Sequence, residues 1–442
     1  MLIVGNGTII TRDNEKILDS SNGILIDGKF IKEVGNLKII KEKFPEASFI
    51  DAKGMLIMPG MINTHMHIYS SFARGMDSKS TPPKDFLQIL EGLWWKLDRT
   101  LTLEDIKYSA LVTYLDLIKN GTTTIFDHHA SAGAVTGSLF TIAEAAKALN
   151  VRSSLCYEVS DRDGEEIMLQ GINENVDFIK YANSLKDDML TGMFGLHASF
   201  TLSDKTLDLV KEKSDGLNSG FHIHAAEGIL DEEESESKYG KRVIERLNDF
   251  NILGEKTLAI HCTHINEREM EIIKSTNTTV VHNPESNMGN AVGCSPAIDM
   301  MKKGITVGLG TDGYTCDMFE SMKTANILHK HNLKDPSAAW AEVPRMLFEN
   351  NRIITERHIK NKIGILKEGA IADIIIADYT PHTPLTEDNI NFHILFGVSG
   401  RCTETSIING KVVMKDREIL GIDQERIYSK STEISKKLWD RI

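Results

Sequence analysis

The chain has 442 residues, 41% of them hydrophobic and 26% charged, the balance of a globular enzyme with ample length for a large core. Its formal net charge of −13 argues against nucleic acid and anionic membrane as partners. Five cysteines (Cys156, Cys262, Cys294, Cys316, Cys402) lack C-x-x-C spacing, so neither a disulfide framework nor a cysteine zinc site is expected, and a reducing, cytoplasmic setting is the simpler reading.

In chain order, the N-terminus shows no basic region followed by a long apolar run, and no stretch approaches 18 uninterrupted apolar residues; neither a signal peptide nor a membrane span is expected. The first fifty or so residues read as β structure. Leu2–Val4, Thr8–Thr11, Ile24–Ile26 and Phe30–Val34 are short apolar runs separated by turn formers such as Gly5-Asn6-Gly7 and Asp27-Gly28-Lys29.

The middle of the chain changes pattern, and short apolar runs alternate with helical segments. The strand candidates are Ile57–Asn63, Thr122–Asp127, Arg152–Tyr157, Met193–Ala198, Gly220–Ala225, Leu258–His261, Thr279–His282 and Ile305–Gly310. Asp105–Lys119, Ala143–Leu149 and Glu267–Ser275 read as helices between them. Eight strands alternating with helices is what a closed α/β barrel needs. The connection Ile68–Arg99 is long, contains Pro82-Pro83 and Trp94-Trp95, and reads as a binding loop or an added surface helix. The charge run Leu230-Asp-Glu-Glu-Glu-Ser-Glu-Ser237 reads as a solvated helix face.

The last 80 or so residues return to β structure. Ala372–Ala377 is a buried-strand pattern, and Ser406–Met414 is a hairpin with Asn409-Gly410 in its turn. The two chain ends together make one small β-domain. The expected class is therefore α/β: a (β/α)8 TIM barrel over 58–365 with a small β-sandwich domain formed from 1–57 and 366–442.

Chemistry-bearing residues gather at predicted strand ends. Pro59-Gly-Met-Ile-Asn-Thr-His65-Met-His67 closes the first, where positions i and i+2 share a face. Phe221-His-Ile-His224-Ala-Ala-Glu227 closes the fifth with a histidine and a carboxylate three residues on. The sixth ends in His261 and the eighth in Gly308-Leu-Gly-Thr-Asp312-Gly. Each residue singly could be structural, but four strands delivering metal-type ligands to the C-terminal end of a barrel, where such active sites sit, form a pattern.

These motifs resemble those of the amidohydrolase superfamily: P-G-x-(I/V)-(N/D)-x-H-x-H, H-x-x-E, the strand-six histidine and (G/L)-T-D. The likeness runs over nearly the whole chain. Within the superfamily the chain is most similar to the subgroup with guanine deaminase, S-adenosylhomocysteine deaminase and the s-triazine hydrolases. The stretches Arg152-Ser-Ser-Leu-Cys-Tyr-Glu-Val-Ser-Asp-Arg-Asp-Gly164 and Phe126-Asp-His-His-Ala130 resemble the SsnA group of aminohydrolases. The resemblance implies His65, His67, His224 and Asp312 as ligands of one divalent metal ion. It implies Glu227 as proton shuttle, His261 as the residue that polarises substrate, and His197 as a substrate contact. Strand four carries His197 and no lysine that could bridge a second metal.

The chemistry agrees with those roles. Zinc lowers the pKa of a bound water from 15.7 to about 7; zinc is the default ion, and Fe2+ or Mn2+ suit the same ligands. Glu227 would move the proton to the ring nitrogen and then to the leaving group. The implied substrate is a small purine-like or triazine-like heterocycle attacked at a non-peptide C–N bond.

Other residues carry weaker claims. His222 shares a face with His224 but reads as a core histidine. Of His128 and His129, one should point inward, and His128 is taken as a substrate contact. Arg74 could bind a ring carbonyl or form a surface ion pair. Asn287, in His282-Asn-Pro-Glu-Ser-Asn287, is assigned to the substrate side or to buttressing the site. Trp94 and Trp95 could cap an aromatic ring or pack in the core.

Hydrolytic deamination and hydrolytic opening of a cyclic amide, as in an oxidised purine, use the same groups and differ in which nitrogen leaves; dechlorination is a third variant. A catalytically inactive scaffold predicts missing ligands, and none is missing. No nucleotide-binding glycine pattern and no H-x-E with P-C-x-x-C is present. A homo-oligomer is the expectation for a soluble enzyme of this kind.

Overall fold

A computed structural model describes residues 1–14, 16–76 and 82–442; the stretch 77–81 of the long first connection lies outside the described residues. Met61–Met66, Thr122–His129, Arg152–Tyr157 and Leu190–Gly192 lie parallel in one sheet. Phe194–Ala198, Phe221–Ala225, Leu258–His261, Thr279–His282 and Val307–Leu309 lie parallel in a second. Single bridges join the seams, Val159 to Leu196 and Met66 to Asp312. The fourth position is shared by Leu190–Gly192 and Phe194–Ala198, so the ring has eight staves, the α/β barrel the pattern predicted.

The first predicted strand, Ile57–Asn63, is two strands. Leu56–Pro59 pairs antiparallel with Ile374–Ala377, whereas Met61–Met66 enters the barrel beside Thr122–His129. Pro59 has no N–H to extend a ladder, and a Cβ on Gly60 would stand 2.2 Å from Thr123. The chain changes sheets at Gly60: its N–H still donates to the Asp373 carbonyl, whereas that of Met61 donates to Gly121 beside the next barrel strand.

Outside the barrel, Leu2–Gly5, Asn22–Asp27, Phe30–Asn36 and Ser48–Asp51 form a four-stranded sheet. A seven-stranded sheet takes Thr8–Ile10, Ile17–Leu18 and Leu56–Pro59 from the front of the chain and Ile374–Ala377, Thr403–Ile408, Lys411–Lys415 and Glu418–Ile419 from its end. Val4, Ile24 and Ile26 from one sheet and Ile9, Ile57, Ile374 and Ile376 from the other share one buried apolar cluster. The short apolar runs, buried residue after residue along these strands, are what deliver that layer.

Helices follow the barrel strands. Leu103–Lys119 begins in a capping box, Thr102 with Asp105, and Glu267–Ser275 in another, Asn266 with Glu269. The C-terminal helix Gln424–Trp439 lies on Leu103–Lys119, held by Trp439 Nε1 donating to the Phe72 carbonyl at 2.7 Å and by the Arg441–Asp105 ion pair at 2.5 Å. No helix is long and apolar enough to cross a membrane among the described residues.

The charge run after strand five departs from expectation. It is helical over Ile229–Tyr239, but Asp231 and Glu232 are buried rather than solvated. Asp231 accepts the backbone N–H groups of Ala226 (2.8 Å) and Phe200 (3.0 Å), and Glu232 accepts that of Val243 (3.1 Å) and pairs with Arg242. Backbone donors with no other partner recruited these acids inward.

Candidate active site

The C-terminal ends of the barrel strands converge on a histidine cluster, and the backbone there is unusual. Ala226 (φ 49°), His261 (φ 70°) and Asp312 (φ 54°) all sit in the left-handed region, which non-glycine residues seldom occupy. Each follows or ends a strand, so each turns its neighbour's side chain across the barrel mouth. Gly310 allows the last strand to close on the first: a Cβ there would stand 2.8 Å from the His65 carbonyl and 2.4 Å from Asn283 Oδ1.

Three imidazoles are held in fixed orientation. His67 Nδ1 donates to the His128 carbonyl at 2.6 Å, and His224 Nδ1 to the His197 carbonyl at 2.9 Å. Each ring therefore turns Nε2 and its lone pair inward. His65 Nδ1 meets His222 Nε2 at 2.8 Å, leaving His65 Nε2 buried without a hydrogen-bond partner. His67 Nε2 lies 3.3 Å from both His224 Nε2 and Asp312 Oδ1. Two atoms each about 2.0–2.1 Å from one ion at tetrahedral angles stand roughly 3.3 Å apart, so this spacing fits a shared cation. The orphaned His65 nitrogen and the chemistry of the donor set point the same way, and the cluster forms a histidine-rich metal-binding site.

On one flank, His261 Nε2 stands 3.4 Å from Glu227 Oε2 and 3.4 Å from Asp312 Oδ2. Asn287 Oδ1 accepts from His261 Nδ1 at 2.7 Å. Burial, with Asp312 adding to it, pushes the Glu227 carboxyl well above the usual carboxylate range. Burial opposes ionisation of Asp312 too, but the facing His67, His261 and His224 outweigh it, and its carboxyl lies below its ordinary value. Burial lowers His65, His224 and His261, favouring the neutral, ligating imidazole.

A cavity opens over this cluster. His67, His224, Glu227 and Asp312 line its floor, Phe86, Leu90, Trp94 and Trp95 its lip, and His197, Phe200 and Asn290 its sides. The long first connection thus supplies the apolar cover, with Trp94 and Trp95 on the cavity rather than in the core.

Not every sequence-derived candidate comes to the cavity. His65, His67, His224, Asp312, Glu227 and His261 are brought together, and His197 lines the wall with Nδ1 2.7 Å from Thr201 Oγ1. Arg74 does not line this cavity: its exposed guanidinium pairs with Asp116 at 3.2 Å, beside a neighbouring cavity that shares His67, Trp94 and Asp312 with the first. His128 does not reach the cavity either. It is fully buried within the histidine cluster, stacked on His222 at 4.3 Å, because strand alternation turns it towards the barrel axis. Asn287 is fully buried and spends its acceptor on His261, so it buttresses that ring and does not line the cavity. His222, read as a core histidine, is the partner of His65.

Glu158 went unassigned in the sequence. It is the first residue past the third strand, buried, on the cavity wall, with Oε1 3.3 Å from His67 Nδ1. The signal was there: it continues the inward alternation of Ser154 and Cys156. Asp98 was also missed. It lines the cavity, pairs with Arg162 at 2.5 Å, and is pushed up by burial to about 7. Sixty-four residues separate the pair, and no local spacing betrays it.

Residues 56–413 match the family model described as Amidohydrolase family. The chain is 31% identical over 453 residues to a 5'-deoxyadenosine deaminase of Methanosarcina barkeri, covering 100% of this chain and 99% of that one. It is 34% identical over 421 residues to a 5-methylthioadenosine/S-adenosylhomocysteine deaminase of Thermococcus sibiricus, covering 93% and 94%. Among solved structures, an adenosine deaminase from Xanthomonas campestris with bound zinc superposes with a TM-score of 0.85 over 99% of this chain and 98% of that one. At 19% identity that likeness speaks for the fold alone.

Proposed function

The chain belongs to the amidohydrolase family and is a hydrolase of carbon–nitrogen bonds other than peptide bonds, and we propose that it removes an amino group hydrolytically from a purine-like ring. The observation that carries this is the Glu227–His261–Asp312 group set against three inward-facing imidazoles. The deaminase names of the relatives support loss of an exocyclic amine over ring opening.

We assign His65, His67, His224 and Asp312 as the holders of one divalent ion, with Zn2+ as the ion of choice for three imidazoles and a carboxylate. Such an ion supplies a water acidic enough to be attacked by a base at neutral pH. Glu227, whose carboxyl burial pushes up, takes a proton from that water and hands it to the ring nitrogen, then passes the remaining hydroxyl proton to the amine as its C–N bond breaks. His261 faces the oxygen on which negative charge develops and stabilises it through Nε2 as the imidazolium, a form the facing Asp312 favours, while Asn287 prevents its ring from turning. Trp94, Trp95 and Phe86 cover the ring's face and shut out bulk water.

Ammonia release and ultraviolet change across aminopurines, oxopurines and triazines test this reading, with metal-loaded protein and a chelator-treated control. Metal-dependent ammonia release is the expected result. Loss of ring absorbance without ammonia would replace deamination by ring opening.

A further inference from the structure

Glu158 stands where the reaction described above does not use it. The residue is 5% exposed and lines the same cavity as Glu227. Oε1 has no hydrogen-bond partner in the protein. The nearest nitrogens cannot serve it. His67 Nδ1, at 3.3 Å, already gives its one proton to the His128 carbonyl at 2.6 Å. His128 Nδ1 is 3.6 Å away, beyond a hydrogen bond. On the other oxygen, His197 Nε2 lies 3.9 Å off. A second metal ion between Glu158 and His67 is also disfavoured, because a donating Nδ1 has no lone pair to offer.

A buried acceptor left without a donor is costly, and such atoms in native proteins await a partner. Glu158 lies on the cavity wall directly beside His67 of the histidine cluster. A donor that reaches it must therefore belong to the reacting ring itself, not to a substituent trailing outward.

We propose that Glu158 is a specificity-determining residue that accepts a hydrogen bond from a ring N–H next to the carbon under attack. The inference rests on the deamination reading for the identity of that carbon. It narrows the substrate class to rings of lactam or amidine type that carry N–H at that position. A ring whose flanking nitrogen is bare or alkylated leaves the carboxyl unpaired. A site built for a hydrogen bond discriminates strongly against the analogue that lacks it.

The test uses guanine and 1-methylguanine, which differ in one N–H, on metal-loaded wild type, Glu158→Gln and Glu158→Leu. Both kcat/KM for ammonia release and calorimetric Kd are measured, after metal content and thermal unfolding show that each variant is folded. Wild type should favour guanine by about tenfold or more. Glu158→Leu should bring that ratio within about threefold, and Glu158→Gln, which keeps an acceptor oxygen, should preserve the direction of the preference. An unchanged ratio in Glu158→Leu overturns the proposal, as does wild type that binds adenine or a triazine but not guanine. A Glu158-dependent preference in Kd without ammonia release would uphold the proposal and sink deamination. Ammonia release with no dependence on Glu158 would do the reverse.

Discussion

His65 Nδ1 and His222 Nε2 meet at 2.8 Å, and this contact decides which nitrogen of His65 faces the cluster. His222 is in turn stacked on His128 at 4.3 Å with an interplanar angle of 8°, so two buried rings brace one ligand. Removing such a partner typically costs a metal site 10–100-fold in affinity. His222→Ala should therefore weaken metal binding by about that factor in chelator competition while leaving one ion per chain at saturation. His65→Ala should fail to retain the ion at all. Equal metal affinity in wild type and His222→Ala would show that packing alone orients His65.

Glu227→Gln separates proton transfer from metal binding. The amide keeps the shape and the contact with Asn290 Nδ2, 3.4 Å from Oε1 in the native side chain, but cannot shuttle a proton. Metal content should be unchanged, and kcat should fall by about 10²–10⁴. Retention of most activity would assign the shuttle elsewhere, with His261 the next group in reach at 3.4 Å.

Asn287 acts through His261. Without its oxygen the His261 ring loses the hydrogen bond at Nδ1 and can turn. Asn287→Ala should lower kcat by about 10-fold or more and change KM little, since orientation matters most where charge develops. A rise in KM with kcat intact would return Asn287 to a substrate-binding role.

Arg74 provides the contrast. An exposed Arg–Asp pair is worth about 0–1 kcal/mol, and Arg74 points to Asp116 on the surface. Arg74→Ala should leave kcat/KM within about twofold and shift stability by no more than about 0.5 kcal/mol. A tenfold loss in kcat/KM would mean that the side chain swings into the cavity during turnover.

The site residues differ in how far the sequence alone reveals them. His65, His67, His224 and Asp312 were legible because strand ends carry them at fixed spacings, and the period of two sets their face. The eight barrel strands were legible as apolar runs between helices, though not the break at Gly60, which depends on how closely Thr123 approaches. Which of the alternatives open to Arg74, His128 and Asn287 the fold takes was not legible, because their neighbours, Asp116, His222 and His261, come from distant segments. Glu158 and Asp98 were overlooked for the same reason: what makes each notable is an unmet acceptor or a buried ion pair, and both are properties of the folded chain.

Glu232 gives a prediction about pH. It sits in a run of acids that reads as solvated, yet it is 1% exposed and shares Arg242 with Glu269, which accepts from Arg242 Nε at 2.7 Å. Burial, and then repulsion from Glu269, push Glu232 up to about 8. An unfolded glutamate titrates near roughly 4.3. Between these values the folded chain holds a proton that the unfolded chain has released, so raising the pH through this window favours unfolding. The contribution of neutral Glu232 is complete below about pH 4 and is lost as the pH approaches the folded value. Thermal midpoints of wild type measured from pH 4.5 to 8 should therefore carry a downward slope from this group that Glu232→Gln, neutral at every pH, lacks. The difference between variant and wild type should grow in the variant's favour as the pH rises. A difference that stays constant across the range would mean that Arg242 holds Glu232 ionised throughout.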